Sequence, residues 1–382
     1  MTQQYPTARR LSRRRLLVGG GSMLTLGLLG LRGWHPDPAM RANAAPPDGE
    51  LKTRAVVQSV AADGPLVVSG PGAAGGSTAA EYLPAGTTRF GAWVPGAPWD
   101  LAPLSAIERQ IGQPLGIVMW YQGWGAGNAP LDVALLDRVA DRNAIPMITW
   151  EPWDYTKGVD QPDYRLRRIA SGAFDTYIRS WADGLRAWGK PMVLRFAHEM
   201  NHDKYPWCVN VNENSPADFV AAWRHVRSIF AAAGATNVAF HWCPNADWAG
   251  SGKVPFSEIY PGDSNVDIVG VDGYNGGTDL DWGGWQTFSA IFGYSISALG
   301  ELTAKPIVIG EVASAETGGS KAAWVGDMLG KAVPVTFPTV RGVVWYNENR
   351  EARWEMQSSQ SSLDAFRAGL LSTHYVLHDV TA

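Results

Sequence analysis

Short apolar runs alternate with longer amphipathic stretches from about residue 88 almost to the end of the chain. Buried parallel strands read as near-continuous apolar runs, and strands that alternate with helical stretches indicate βα units. We count eight apolar runs, at residues 89–94, 115–121, 146–151, 192–199, 237–243, 266–271, 306–311 and 342–347. The stretches between them include residues 131–143, 174–188, 216–233, 285–302 and 321–331. Eight such units predict a fold of the α/β class, a closed (β/α)8 TIM barrel.

An open, doubly wound sheet is the alternative arrangement of the same units. Such a sheet would carry a Gly-x-Gly-x-x-Gly turn after its first strand if it bound a dinucleotide there. No turn of this kind follows residue 94. The sequence therefore favours the closed barrel, in which residues at the carboxyl ends of the strands form the site.

The first 44 residues are typical of a twin-arginine export signal. Residues 12–17 read Ser-Arg-Arg-Arg-Leu-Leu, an apolar stretch continues to Leu31, and Ala-Asn-Ala at 42–44 supplies a cleavage site. The stretch contains glycines and is shorter than the about 20 residues of a spanning helix, so a permanent anchor is the less favoured alternative. We expect residues 45–87, rich in Ala, Gly and Pro, to be a linker and lead-in. Residues 88–382 are then a single barrel domain of a protein secreted or exported to the periplasm or cell wall.

Removal of the signal would make the chain strongly acidic. Residues 1–44 contain seven arginines and one aspartate, so 32 basic and 36 acidic residues become 25 and 35, and the formal charge changes from -4 to -10. An acidic surface disfavours nucleic acid and anionic lipid as partners. We therefore expect no nucleic-acid partner and no stable membrane insertion after cleavage. The mature protein is expected to be a monomer.

Two glutamates, Glu199 and Glu311, each end one of the apolar runs. A buried strand tolerates a carboxylate at its end only where a cleft, a partner charge or a substrate compensates for lost hydration. At the ends of the fourth and seventh strands the two side chains would face each other across the barrel mouth, where a carboxylate pair can bracket one glycosidic bond. The alternative is that each forms only a salt bridge at the rim. The pair predicts the catalytic residues of a glycoside hydrolase.

Three further residues are predicted to surround this pair. Arg195 precedes Glu199 by four residues, which in a strand puts both side chains on one face, and it could also reach Glu311 and keep it ionised. Tyr274 can donate its hydroxyl group to Glu311, or it is a packed aromatic residue with a solvated hydroxyl. Glu151 ends the third run, and we assign this rival carboxylate to substrate binding or to support of the catalytic pair.

The eighteen tryptophans favour a sugar substrate, because a flat apolar face with a polar edge suits a pyranose ring. We predict Trp345, at the end of the eighth run, as the floor of the subsite beside the second glutamate. Trp150, Trp207 and Trp242 are predicted for further sugar contacts, although tryptophan also fills gaps between a barrel and its helices. Asn245 could hydrogen-bond a sugar hydroxyl group or cap a loop.

A metal site receives little support from the sequence, while the state of the two cysteines is left open. Cys208 and Cys243 are the only cysteines, which rules out a multi-cysteine metal site. They could form one disulfide or remain two buried thiols, since spacing alone does not fix their geometry. His198 and Glu199 would point to opposite faces of a strand, and the chain has no H-E-x-x-H or H-x-x-E-H motif. No metal and no other cofactor is therefore expected.

Several of these segments together resemble glycoside hydrolase family 26. The resemblance covers residues 88 to about 370 and rests on Arg195-Phe-Ala-His-Glu-Met-Asn201, Tyr205-Pro-Trp207, Trp223-Arg-His-Val226, Pro244-Asn245, Gly270-Val-Asp-Gly-Tyr274, Gly310-Glu311 and Val344-Trp345. It implies that Glu199 is the acid/base, that Glu311 is the nucleophile, and that His198 lies near the substrate. Members of the family are mostly endo-β-1,4-mannanases, with some β-glucanases and β-1,3-xylanases. The resemblance thus implies an exported retaining endo-β-glycanase that acts on a polysaccharide, with β-1,4-mannan as the first candidate.

Other functions are compatible with the barrel. The chain could hydrolyse a β-glucan or an exopolysaccharide, or it could bind carbohydrate without turnover. A pure binder gains nothing from two closely spaced, mutually repelling carboxylates, so the pair disfavours that alternative. A scaffold protein would be expected to have no cleft lined by tryptophan.

Overall fold

The computed structural model describes residues 83–125 and 127–376. The predicted export signal and most of the predicted lead-in lie outside the described residues. The strands of the described part are β1 (Thr88–Trp93), β2 (Ile117–Gly123), β3 (Ile145–Glu151), β4 (Met192–Phe196), β5 (Val238–Trp242), β6 (Ile268–Asn275), β7 (Ile307–Ser314), β8 (Val340–Tyr346) and β9 (Tyr375–Val376).

Strands β1 to β8 close into a parallel barrel, which confirms the predicted fold class. Their order follows the chain from β2 to β8, β8 pairs with β1, and β1 pairs with β2. At Gly91, for example, β1 pairs with Ile117 of β2 on one side and with Val344 of β8 on the other, which closes the barrel. The short β9 adds to β1 in parallel. The carboxyl ends of all eight barrel strands therefore lie at one end of the barrel, where such enzymes place their sites.

Helices follow the strands and surround the barrel. They are α1 (Ala102–Ile111), α2 (Val133–Ala140), α3 (Leu166–Ala170), α4 (Asp175–Trp188), α5 (Pro216–Ala233), α6 (Phe256–Ile259), α7 (Phe288–Leu302), α8 (Lys321–Asp327), which continues as a π-helix over Met328–Thr336, and α9 (Gln360–Leu370). Helix α5 has the bounds that the sequence predicts, because a Ser215–Asp218 capping box starts it and Gly234, with a φ of 74°, ends it. Within the described residues, we find no helix with both the length and the apolar character to cross a membrane.

Large aromatic side chains fill the space between the barrel and its helices. The ring of Trp150 lies 4.9 Å from those of Trp124 and Trp181, and the ring of Trp242 lies 5.7 Å from that of Phe256. Trp150 and Trp242 are wholly buried. Alternate residues of a barrel strand point outwards to the helices, so these two tryptophans belong to the core. The prediction that they contact a sugar is wrong.

Strand β4 is shorter than its apolar run. It ends at Phe196, and the next residues include two with left-handed backbone, Ala197 at a φ of 46° and Glu199 at 51°. Residues other than glycine rarely adopt this conformation. Two hydrogen bonds hold it here: the N–H of Ala197 donates to the Trp150 carbonyl, and the N–H of Glu199 donates to the Cys243 carbonyl. The segment after β4 is therefore hydrogen-bonded to β3 on one side and to the residue after β5 on the other, and it is not an extended strand.

Candidate active site

Arg195 lies at the centre of the candidate site. Its guanidinium group is wholly buried and donates from Nη1 to Asp272 Oδ2 at 2.6 Å, and from Nη2 to Glu311 Oε1. Its Nε donates to Thr149 Oγ1 at 2.9 Å. A buried guanidinium is stable only when its donors and its charge are compensated, and two carboxylates do this here. The contact predicted between Arg195 and Glu311 is present.

The glycine before Glu311 is required by close packing. A Cβ at Gly310 would lie 2.6 Å from Asp272 Oδ1 and 2.8 Å from Arg195 Nη1. Any side chain here would therefore displace a buried ion pair. Around the same residues β7 shifts its register against both neighbouring strands, and irregularities of this kind re-aim side chains next to active sites.

Glu199 lies in the segment after β4, with 8% of its surface exposed. Its Oε1 accepts a hydrogen bond from Asn245 Nδ2 at 2.7 Å. Burial, and next the charge of Glu311, raise the pKa of Glu199 to about 7, although Asn245 and Arg195 act in the opposite direction. A substantial fraction of Glu199 is therefore protonated at neutral pH, as a general acid requires.

Strand periodicity misplaces His198. It predicts that His198 and Glu199 point to opposite faces of a strand, but this alternation does not apply because β4 ends at Phe196. Arg195 lies close enough to Glu199 for its charge to lower the pKa of Glu199, in agreement with the predicted shared face. The structure places His198 Nε2 at 4.0 Å from Glu311 Oε1. Burial, and next the charge of Arg195, hold the pKa of His198 well below its usual value. The imidazole is therefore neutral and can hydrogen-bond without adding a charge.

A set of potential metal ligands lies in the same place. Atoms of His198, Asp272 and Glu311 lie within 4.8 Å of one another. Arg195 donates hydrogen bonds to both of these carboxylates, and its guanidinium supplies the positive charge that a cation would bring. The chemistry of the cluster therefore fits ion-paired carboxylates better than a set of metal ligands.

Glu151, at the end of β3, is a further carboxyl group in this interior and is 1% exposed. Its Oε2 accepts a hydrogen bond from Trp153 Nε1 at 3.1 Å, while its Oε1 has no hydrogen-bond partner among the described residues. Burial raises the pKa of Glu151 to about 8. Because Glu151 is then largely neutral, the positive charge of Arg195 compensates the negative charges of Asp272 and Glu311. Its assignment to substrate binding or to support of the pair stays a prediction.

Aromatic side chains form a wall beside Glu311. Tyr274 donates its hydroxyl group to Glu311 Oε2, as predicted. The Tyr274 ring lies 5.8 Å from that of Tyr346, which stacks on Trp93 at 4.6 Å with an interplanar angle of 19°. Tyr121 meets the Trp93 ring edge-on at 5.8 Å. These residues come from four different strands, so the wall exists only in the folded barrel.

Trp345 is not part of this wall, and its prediction as a subsite floor is wrong. Its side chain is wholly buried, its Nε1 donates to the Trp354 carbonyl at 2.8 Å, and its ring packs edge-on against Phe366 of α9 at 4.7 Å. Successive strand residues point to opposite faces. Trp345 therefore faces the helix, and Tyr346, the next residue, faces the barrel mouth.

Trp207 supports the site from behind. It is wholly buried, stacks on Tyr205 at 4.5 Å with an interplanar angle of 4°, and donates from Nε1 to the His198 carbonyl at 2.6 Å. The Tyr205 ring in turn lies 4.9 Å from the His198 ring. The direct sugar contact predicted for Trp207 is wrong, because Tyr205 and the 198–201 segment cover it.

Cys208 and Cys243 are both buried free thiols, the second of the two alternatives left open by the sequence. Cys243 Sγ donates to Asp272 Oδ1 at 3.1 Å, and Cys208 Sγ donates to the Glu199 carbonyl at 3.4 Å. Cys243 therefore contacts the candidate site at Asp272, and Cys208 contacts it at the backbone of Glu199.

No role was predicted for three residues that the structure brings to the site, Asp272, Asn201 and Lys253. Asp272 is wholly buried. The sequence feature that could have identified it is a charged residue in an apolar strand, two positions before Tyr274 and therefore on the same face. The side-chain amide of Asn201 binds the backbone of Asn245 in two hydrogen bonds of 2.8 Å: Nδ2 donates to the Asn245 carbonyl, and Oδ1 accepts from the Asn245 N–H. Lys253 donates to Asn245 Oδ1 at 2.7 Å. These last contacts are made by loops, where no periodic pattern marks them.

The two glutamates differ in environment. Both oxygens of Glu311 accept hydrogen bonds, one from the Arg195 cation and one from Tyr274. Glu199 is buried beside that charge, with its pKa raised to about 7. A carboxylate next to a protonated carboxyl group can attack an electrophilic carbon while its partner protonates the leaving oxygen.

Comparison of sequences identifies relatives of this chain. Residues 146–325, a range that includes both glutamates, match the family model for glycosyl hydrolase family 26. Endoglucanase H from Acetivibrio thermocellus is 38% identical over 285 residues, which are 74% of this chain and 30% of that protein. The chain thus spans less than a third of the length of this relative.

Solved structures share the fold at lower identity. A modular endo-β-1,4-mannanase from Cellulomonas fimi has a TM-score of 0.60 and 17% identity, over 78% of this chain and 74% of that one. A family 26 β-mannanase from Bacteroides ovatus has a TM-score of 0.57 and 16% identity, over 78% and 92%. The catalytic domain of an endo-β-1,4-mannanase from Bacillus sp. JAMB-750 has a TM-score of 0.60 and 17% identity, over 79% and 92%. At these identities the likeness shows the (β/α)8 fold alone.

Proposed function

Because the barrel of this chain belongs to glycosyl hydrolase family 26, we propose that it hydrolyses internal β-linkages of a polysaccharide by double displacement. Glu311 is the nucleophile and Glu199 the acid/base. The contrast between these two carboxyl groups carries the proposal: Arg195 and Tyr274 hold both oxygens of Glu311, while burial and the charge of Glu311 raise the pKa of Glu199 to about 7.

The reaction has two steps. In the first, a carboxylate oxygen of Glu311 attacks the anomeric carbon, Glu199 gives its proton to the glycosidic oxygen, and the bond between that oxygen and the anomeric carbon breaks. In the second, the ionised Glu199 takes a proton from water, the water oxygen attacks the same carbon, and the bond to Glu311 breaks. Glu199 is then protonated again and Glu311 is again a carboxylate.

Neighbouring groups orient these reactants. Arg195 binds Oε1 of Glu311 and Tyr274 binds Oε2, so the carboxylate cannot rotate freely. The neutral His198 has no partner for Nδ1 among the described residues and can hydrogen-bond a sugar hydroxyl group. The stacked pair of Tyr346 and Trp93 offers an apolar surface to the C–H face of a pyranose ring.

We favour a β-glucan as the polysaccharide, with β-1,4-mannan as the second candidate. The name of the 38% identical relative, an endoglucanase, supports glucan. The family resemblance and the names of the structural neighbours support mannan, but those neighbours are no more than 17% identical. We further propose that the chain acts on this polymer as an exported monomer, for which the residues at 1–44 and the acidic mature charge are the support.

Product sizing on a panel of polysaccharides tests the proposed function. We expect wild-type protein to release short oligosaccharides from mixed-linkage β-glucan or from β-1,4-mannan, because the two carboxyl groups are suited to cleavage and not only to binding. A rapid fall in viscosity before monosaccharide accumulates would identify internal cleavage. Binding to one polymer without release of any product would instead support a carbohydrate-binding barrel.

Early products should retain the anomeric configuration of the substrate. A nucleophilic Glu311 inverts the anomeric carbon once and water inverts it a second time, so the first product from a β-linked polymer should be the β-anomer. Proton NMR of the anomeric signals during the first minutes, before mutarotation, distinguishes the outcomes. An initial α-anomer would reassign both glutamates to an inverting mechanism.

A further inference from the structure

The loop after β5 turns back towards the acid/base residue. Gly250 and Gly252 adopt left-handed backbone, with φ of 80° and 75°, which glycine does without strain. The N–H of Lys253 donates to Ser251 Oγ at 3.0 Å within this turn. The turn brings Lys253 back to Asn245, which lies at the start of the same loop.

Lys253 determines which way the Asn245 amide faces. Its Nζ donates to Asn245 Oδ1 and to the Ala246 carbonyl, both at 2.7 Å. An ammonium group can only donate, so the amide oxygen must face it and the amide NH2 must face away. That NH2 donates to Glu199 Oε1 at 2.7 Å. Because Asn201 also holds the Asn245 backbone in two hydrogen bonds of 2.8 Å, the amide has one orientation.

We propose that Lys253 is a positioning residue for the acid/base Glu199 and acts through the Asn245 amide. The inference rests on the proposed role of Glu199. Because Asn245 donates to Oε1, the acidic proton of Glu199 is carried by Oε2, from which it can pass to the leaving group. Without Lys253 the amide could turn its oxygen towards Glu199, where it would accept that proton and hold it away from the substrate.

The charges around these groups set the direction of the electrostatic effect. Besides Lys253, the charged or ionisable groups that act on Glu199 are Glu311, Arg195, Glu151 and Asp272, with the hydroxyl groups of Tyr205 and Tyr274 and the thiol of Cys208. Lys253 itself faces Asp247, Asp203 and His202, and its Nζ lies 5.0 Å from the centre of the Trp248 ring. The positive charge of Lys253 lowers the pKa of Glu199, so its removal should raise that pKa.

Lys253→Met tests the assignment, with Lys204→Met as a matched control. Lys204 is an exposed lysine of the loop after β4, so the control removes one positive charge from the same rim but no hydrogen bond to Asn245. We expect Lys253→Met to raise the pKa of Glu199 by about half to one unit and to lower kcat about 10-fold with little change in KM. Carbon-13 NMR of δ-labelled glutamate, with Glu199→Gln to assign the signal, measures the pKa without turnover.

Two further variants separate positioning from a general charge effect. Lys253→Arg should restore most of kcat, because it keeps both the charge and the donors. In an Asn245→Ala background, Lys253→Met should have less than half of its effect in the wild type, because the two residues act in series. An unmoved Glu199 titration in Lys253→Met, or an equal shift in Lys204→Met, would overturn the assignment. Inactivity of the wild type on every polysaccharide would overturn the proposed function, and the NMR titration would still decide whether Lys253 controls Glu199.

Discussion

Replacing Glu311 by alanine is expected to lower turnover of the polysaccharide by a factor on the order of ten thousand or more, because the variant lacks the group that forms the covalent bond. The fold should survive, since Arg195 keeps its ion pair with Asp272 at 2.6 Å. Steady-state kinetics and thermal unfolding of the same preparation measure both effects. Glu311→Gln, which keeps the volume of the side chain, should be similarly inactive, and Glu301→Ala, at an exposed helix end, is the matched control that should retain full activity.

Azide distinguishes a missing nucleophile from a damaged site. In Glu311→Ala, azide can occupy the space of the lost carboxylate and attack the anomeric carbon of a β-glycoside with an activated leaving group. The product would be the α-glycosyl azide, since only one inversion takes place. Turnover of Glu311→Ala near the wild-type rate without azide would show that the nucleophile lies elsewhere.

Glu199→Gln is expected to have an effect that depends on the leaving group. The amide keeps the shape of the side chain but has no proton to transfer, so hydrolysis of the polysaccharide should fall by a factor on the order of a hundred to ten thousand. A dinitrophenyl glycoside has a leaving group that needs no protonation, so formation of its glycosyl-enzyme should be much less affected. A burst of dinitrophenolate, followed by slow hydrolysis of the intermediate, is the expected time course.

The pH profile of the wild type provides the control for Glu199→Gln. Glu199 must be protonated to act as the acid, and its pKa is raised to about 7 by burial and by Glu311. For the wild type, kcat/KM on the polysaccharide should therefore fall as the pH rises through about 7. Glu199→Gln should lose this alkaline limb. Equal losses on both substrates, or an unchanged limb, would direct the search for the acid to Glu151, whose pKa is raised to about 8.

Two of the wrong predictions depend on where a strand ends and on which of its residues face inwards. Strand β4 ends at Phe196 and not at Glu199, so the alternation used for His198 did not apply. On β8, Trp345 was expected at the mouth, but alternation alone could not tell whether Trp345 or Tyr346 faced inwards. Which of the two side chains faces inwards depends on the register of β8, and that register is set by pairing with the neighbouring strands and by packing against α9.

The sequence by itself determined the barrel and its two catalytic candidates, Glu199 and Glu311. Both follow from local patterns. Apolar runs indicate buried strands, and a carboxylate at the end of such a strand loses hydration energy that a partner charge, a cleft or a substrate must compensate. Only the tertiary structure decided how the site is completed. Arg195 of β4 meets Asp272 of β6 inside the barrel, and Lys253 reaches Asn245 through a loop. Such contacts join residues from different strands and loops, and their side-chain geometry is set by packing that no single segment encodes.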